Sequence, residues 1–170
     1  CCVTSLANGT TIRCALCLAS ITLSLQRIRE ISVNTPMIMI TSSLKELAAM
    51  LAGKKISSLE LTREFLARIG RFNPSLNAYV TLDEERTLEQ ARAADEKIAA
   101  GEAGPLTGIP LAQKDIFCAK GWISACGSKM LANFVSPYDA HVIEQFDKAG
   151  AVNLGKTNMD EFAMGSSTET

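Results

Sequence analysis

A chain of 170 residues has room for about one domain. Apolar residues make up 47% and charged residues 21%, and 17 basic against 18 acidic side chains leave a net charge of −1. That is the make-up of a globular protein. It offers no block of Lys or Arg to grip nucleic-acid phosphates, and no run nears the roughly 18 apolar residues of a membrane span.

Residues 1–38 differ from the rest, being rich in Cys, Ser and Thr and free of lysine. Ala15 to Leu25 is apolar enough for a signal peptide, but only Arg13 precedes it and no small-residue cleavage site follows. Arg13, Arg27 and Arg29 with the single Glu30 fit a transit peptide weakly. The plainest reading is a non-native extension ahead of a true start at Met37 or Met39, without stable packing. Four of the six cysteines, Cys1, Cys2, Cys14 and Cys17, lie here; Cys118 and Cys126 lie in the middle. Cys14-Ala-Leu-Cys17 has no second pair, and the only histidine is His141, so no metal site is expected. All six read as free thiols of a reducing, cytoplasmic setting.

Organised sequence begins at Thr41. Ser43-x-x-Glu46 is a capping box, with Leu44, Leu47, Ala48 and Leu51 at helical spacing behind it and Gly53 as the stop. Ser57-x-x-Glu60 opens a second helix, with Leu61, Phe65, Leu66 and Ile69 on one face, which Asn73-Pro74 should end. Asn77–Thr81 reads as extended. Asp83 should cap a third helix running to about Ala100, with Leu88, Ala91, Asp95 and Ile98 along a face and Gly101 closing it.

Next comes Pro105-Leu-Thr-Gly-Ile-Pro-Leu-Ala-Gln-Lys114-Asp115-Ile116. Its stretch around Ile109–Ala112 reads as a buried strand, with Lys114 where that strand leaves the core. A lysine there either sits on the surface beside a capping Asp, or is partly buried, loses its charge readily and acts as a base. Ala119–Gly121 is a turn and Ser136-Pro137-Tyr138 a break. Asp139 should cap a fourth helix bearing Val142, Ile143, Phe146 and Ala149, ended by Gly150. Ala151–Leu154 then reads as a second apolar strand. Strand, helix and strand at this spacing predict a parallel pair with a crossover. Asn158–Phe162 reads as one helical turn, and 165–170 as a loop.

Two motifs invite chemistry. Gly150-Ala-Val-Asn-Leu-Gly155-Lys156-Thr157 matches the string of a phosphate-binding loop, but a helix precedes it and its middle is strand-like. A helix-ending glycine followed by a strand accounts for it better. Gly165-Ser166-Ser167-Thr168 is either a nucleophile loop or a solvated turn; with His141 alone on an amphipathic helix, a Ser-Lys arrangement fits better than Ser-His-Asp.

The run Gly104-Pro-Leu-Thr-Gly-Ile-Pro-Leu-Ala-Gln-Lys114-Asp115 resembles the lysine motif of the amidase signature enzymes. Gly127 to Ala140, and Gly150 through Met159-Asp-Glu-Phe-Ala-Met164-Gly165-Ser166-Ser-Thr168, narrow the resemblance to one branch. That branch is the A subunits of bacterial aspartyl/glutamyl-tRNA amidotransferases, and the similarity spans about residues 41–170. It implies an α/β fold in which helices pack on a mixed, partly parallel central sheet, with 41–170 as its N-terminal portion. It implies a Ser–cis-Ser–Lys triad with Lys114 as the base, and Met164, Gly165 and Ser166 lining the substrate pocket. Glutamine would be the amide donor, and the chain itself would hold no cofactor. Its partners would be the B and C subunits of a heterotrimer. ATP and Mg would be used by the B partner, which also binds the tRNA; the small C partner would wrap the chain, and no membrane is involved. Both triad serines and the glutamine-recognition residues are expected beyond residue 170, which implies a fragment without activity of its own. The rivals are a stand-alone amidase and a non-catalytic partner-binding fragment.

Overall fold

The computed structural model describes residues 40–165. The extension read over residues 1–38 lies outside the described residues. Helix α1, Leu44–Ala52, starts at Ser43, whose N–H donates to Glu46 Oε2 at 2.7 Å while its Oγ accepts from the Glu46 N–H at 3.4 Å. Ser57 and Glu60 repeat this box, at 3.0 and 3.1 Å, ahead of α2, Ser58–Leu76. Each box satisfies two of the amides a helix start leaves open. Leu47 and Leu51 of α1, Ile56 and Leu61 pack with Ile109 into one buried cluster.

Asn73-Pro74 does not stop α2. The helix continues to Leu76 and closes on Asn77, whose φ is +49° and whose N–H donates to the Asn73 carbonyl at 2.8 Å. Pro74 lies in the last turn, with its ring exposed, and the helix ends two residues after it. The Asn73 side chain is engaged instead beyond the helix, accepting from the Tyr79 N–H at 2.8 Å and donating to the Tyr79 carbonyl at 3.0 Å. This fixes the start of β1, Tyr79–Thr81.

Helix α3, Glu84–Ala100, is capped by Asp83 and closed by Gly101 at φ +80°, as its sequence predicts. Its buried stripe is Thr87, Ala91 and Ala94, one step round from the face read off the sequence. Asp95 belongs to no apolar face: its carboxylate accepts from the Ser58 and Leu59 N–H groups at 2.6 and 3.0 Å, seating α3 on the positive end of α2.

Strands β2, Pro110–Lys114, and β3, Val152–Thr157, are parallel, and β1 pairs antiparallel to β3, giving the order β1-β3-β2. Helix α4, His141–Lys148, is the crossover. The sheet is mixed, as expected. The buried strand, however, is the central β3, which is covered from Val152 through Lys156; on the edge strand β2, Ala112 and Lys114 are exposed. Ile109, buried at 2%, lies one residue before β2. Strand β3 also runs past Leu154 through Gly155-Lys156-Thr157. Gly155 makes that possible, because a Cβ there would sit 2.5 Å from the Thr81 carbonyl oxygen.

Asp139 does not cap α4. Ala140 holds the cap position without a side-chain bond, and Asp139 Oδ1 accepts from the Lys120 N–H at 2.6 Å. The 119–121 turn thus outcompetes the helix for this carboxylate. Beside it, Trp122 packs with Ala119 and Ile143, and the Arg86 guanidinium lies 5.5 Å above its ring and donates to the Lys120 carbonyl. The last helical turn falls at Glu161–Ala163, three residues later than the start read from sequence.

Large apolar side chains remain open to solvent, among them Leu76, Val80, Leu82, Phe117 and Val135. Among the described residues the outer edges of β1 and β2 have no strand partner. Exposed apolar surface and open edges drive association. The 170 residues in isolation are therefore expected to be poorly soluble or loosely packed; a sharp, cooperative calorimetric transition would be the contrary result.

Candidate active site

Lys114 ends β2 and faces solvent, and among the described residues its ammonium has no hydrogen-bond or ion-pair partner. Its backbone, by contrast, is held. The Asp115 N–H donates to the Thr157 carbonyl at 3.1 Å, carrying the β2–β3 ladder one residue further, and the Phe117 N–H donates back to the Lys114 carbonyl at 3.1 Å. The strand therefore ends in a fixed turn with a free cation on it.

Asp115 is the opposite of its neighbour. It has no exposed surface, and its carboxylate accepts from the Ala125 N–H at 3.2 Å and the Gly127 N–H at 3.0 Å. Cys126 and Gly127 both have positive φ, +53° and +66°, in the tight turn that carries these two amides. The 125–128 loop is in turn fastened to the 159–164 segment. A Cβ on Gly127 would lie 2.6 Å from the Met159 carbonyl oxygen, the Phe162 N–H donates to the Cys126 carbonyl at 3.0 Å, and Ser128 Oγ donates to Glu161 Oε1 at 2.5 Å. Met164 and Gly165 follow directly and are exposed. Ser166 lies outside the described residues. No direct bond joins Lys114 to Met164 or Gly165; the connection runs through Asp115 and the 125–128 loop.

Lys156 is the lysine that the fold buries, with no exposed surface and its Nζ donating to the Phe117 carbonyl. Burial pulls its ammonium below the ordinary lysine value, against the opposing pull of the Asp115 carboxylate and the Cys118 and Cys126 thiols. Burial also pushes the Cys126 thiol up, with Asp115 adding to it. Gly155, Lys156 and Thr157 lie within a strand and the Lys156 amine is bonded to the chain, so these residues do not form a phosphate cradle. Sequence reasoning passed over Asp115 and Lys156 as site residues. The one available signal was a lysine continuing the strand pattern of Ala-Val-Asn-Leu, where a surface lysine has no place.

Gln113 and Lys114, adjacent on a strand, point to opposite faces. On the Gln113 side lies a cavity of about 330 Å³ lined by Gln90, Gln113, Trp122, Asp147 and Asn153. Gln113 Oε1 and Asn153 Nδ2 lack hydrogen-bond partners there, and the room and polarity suit ordered water. Among the described residues no group of three His, Cys, Asp or Glu could hold a metal ion, and no helix is long and apolar enough to cross a membrane.

A family model described as Amidase matches residues 60–170. The chain belongs to the amidase family. Amidase-family relatives named as the A subunit of glutamyl-tRNA(Gln) amidotransferase are 68% identical over 132 residues in Nitrosomonas europaea and 69% identical over 132 residues in Methylobacillus flagellatus. Each match covers 78% of this chain and 27% of the relative, so the chain spans about a quarter of their length. Among solved amidase-family structures, native peptide amidase from Stenotrophomonas maltophilia is similar at a TM-score of 0.68 and 33% identity, over 72% of this chain and 26% of that one. Fatty acid amide hydrolase is similar at a TM-score of 0.71 and 25% identity, over 76% of this chain and 23% of that one. The helices on a mixed sheet expected from the sequence are thus part of an amidase-family fold.

Proposed function

We propose that this chain forms the lysine-bearing part of the amidase subunit of a tRNA-dependent amidotransferase, with Lys114 as the catalytic base. The observation that carries the reading is an unpartnered side-chain amine on a rigid strand end. The neutral amine takes a proton, through a bridging serine, from a nucleophilic serine. That serine attacks the side-chain amide of glutamine, forms an acyl-enzyme and releases ammonia; water then frees glutamate. Met164, Gly165 and Ser166 line the glutamine pocket. Ammonia passes to the B partner, which holds ATP, Mg and the tRNA; the small C partner wraps this chain, in the cytoplasm. The near-neutral charge agrees with a chain that leaves RNA to its partner.

A hybrid tests this reading. The matched 132 residues of this chain replace their counterparts in the Nitrosomonas europaea relative, which is assembled with its own partners. The hybrid is expected to release ammonia from glutamine and to amidate Glu-tRNA(Gln). Amide hydrolysis indifferent to partners and tRNA would favour a stand-alone amidase instead. The 170 residues alone, with the small partner added, are expected to release no more ammonia than their Lys114→Ala form.

A further inference from the structure

We propose that Asp115 is a positioning residue that couples Lys114 to the substrate loop, and that Lys156 braces the turn on which it works. This rests on the reading of Lys114 as base and of 164–166 as pocket. Asp115 follows Lys114 directly, so anything that fixes its carboxylate fixes the base's backbone. It is fixed at both ends: its N–H on Thr157, its two oxygens on the Ala125 and Gly127 amides. Lys156 reaches the same turn from β3 and pins the Phe117 carbonyl, which also accepts from Ser124 Oγ at 3.4 Å. The far side of the 125–128 loop holds the 159–164 segment through the Phe162 N–H and the Ser128–Glu161 contact. Base, turn, loop and pocket segment are thus linked by successive hydrogen bonds, and among the described residues Asp115 is the one side chain bonded to the loop from the base's side.

The linkage predicts two effects from one substitution. Asn at 115 keeps one acceptor and turns an NH2 group against the second amide. In the hybrid protein, Asp115→Asn is expected to lower kcat about tenfold or more, the loss of one charge-assisted hydrogen bond. It is also expected to raise KM for glutamine severalfold. Lys114→Ala should lower kcat alone, and Ser128→Ala, at the outer end of the linkage, should raise KM with kcat near its starting value. Lys156→Met should behave as a weaker Asp115→Asn. A purely structural role would reduce the folded fraction and therefore kcat, leaving KM unmoved; that result overturns the proposal, as does a change below twofold in both constants. If Asp115→Asn does not fold, the Ser128→Ala result decides, an unchanged KM sinking the proposal. If Lys114→Ala stays active, the assignment of the base has failed, and calorimetric glutamine affinity of Asp115→Asn still decides the link to the pocket.

Discussion

Replacing Lys114 with Ala in the hybrid protein is expected to reduce glutamine hydrolysis at least about 1,000-fold, within the range a positioned general base contributes. KM for glutamine should stay within about twofold, since an interaction made only as the proton moves leaves ground-state binding alone. Lys114→Arg should be nearly as damaging as Ala, because a guanidinium does not give up its proton in a protein and cannot serve as a base. Structure makes this a clean test. The ammonium supports nothing: among the described residues it has no hydrogen-bond or ion-pair partner, while the strand end is held by backbone bonds on both sides of it. Folding should therefore survive the change, and steady-state ammonia release measured beside a denaturation curve would separate chemistry from stability. Activity retained in the Ala variant would remove Lys114 from the mechanism.

Gly155→Ala is expected to be the most damaging small change to the scaffold. Gly155 has φ +145°, in the central strand, and a Cβ would lie 2.5 Å from the Thr81 carbonyl oxygen and 2.8 Å from Leu82 Cδ2. The cost combines backbone strain with overpacking, together about 3 kcal/mol or more. Relief would require β1 to move off β3, breaking the antiparallel half of the sheet. Gly70→Ala is the matched control. It lies in α2 with nothing within 4 Å of the added carbon, so it should stabilise by about 1 kcal/mol through helix propensity. Urea midpoints of the two hybrid variants should move in opposite directions; equal shifts would contradict the close approach of β1 to Gly155.

Local chemistry was the part of this fold legible in the sequence. Ser43/Glu46, Ser57/Glu60, Asp83 and Gly101 act within a few residues of themselves, and each helix end they mark is where it was expected. Misreadings arose where a distant group bid for the same side chain. Asp139 looks like a cap but serves the Lys120 amide, and Asp95 looks like one position of a helix face but caps a different helix. Lys156 lies within the central strand, and nothing local announces that the Phe117 carbonyl will receive its amine. The lysine motif was visible as a string at Lys114, yet the residue the fold invests in burying is Asp115, whose partners lie 10 and 12 residues further along. Such partners become readable only after the chain has folded.

The chain carries a single tryptophan, Trp122, 4% exposed and beneath the Arg86 guanidinium. Its indole bridges three separately encoded pieces, α3 through Arg86, the 119–121 turn, and α4 through Ile143. Indole fluorescence and the indole band of the near-ultraviolet dichroism therefore come from one place, where those pieces meet. A packed chain should give blue-shifted emission with a resolved indole dichroism band; a collapsed chain without fixed packing keeps its far-ultraviolet signal and loses that band. No label is needed, and Arg86→Ala should change the emission by removing the cation above the ring.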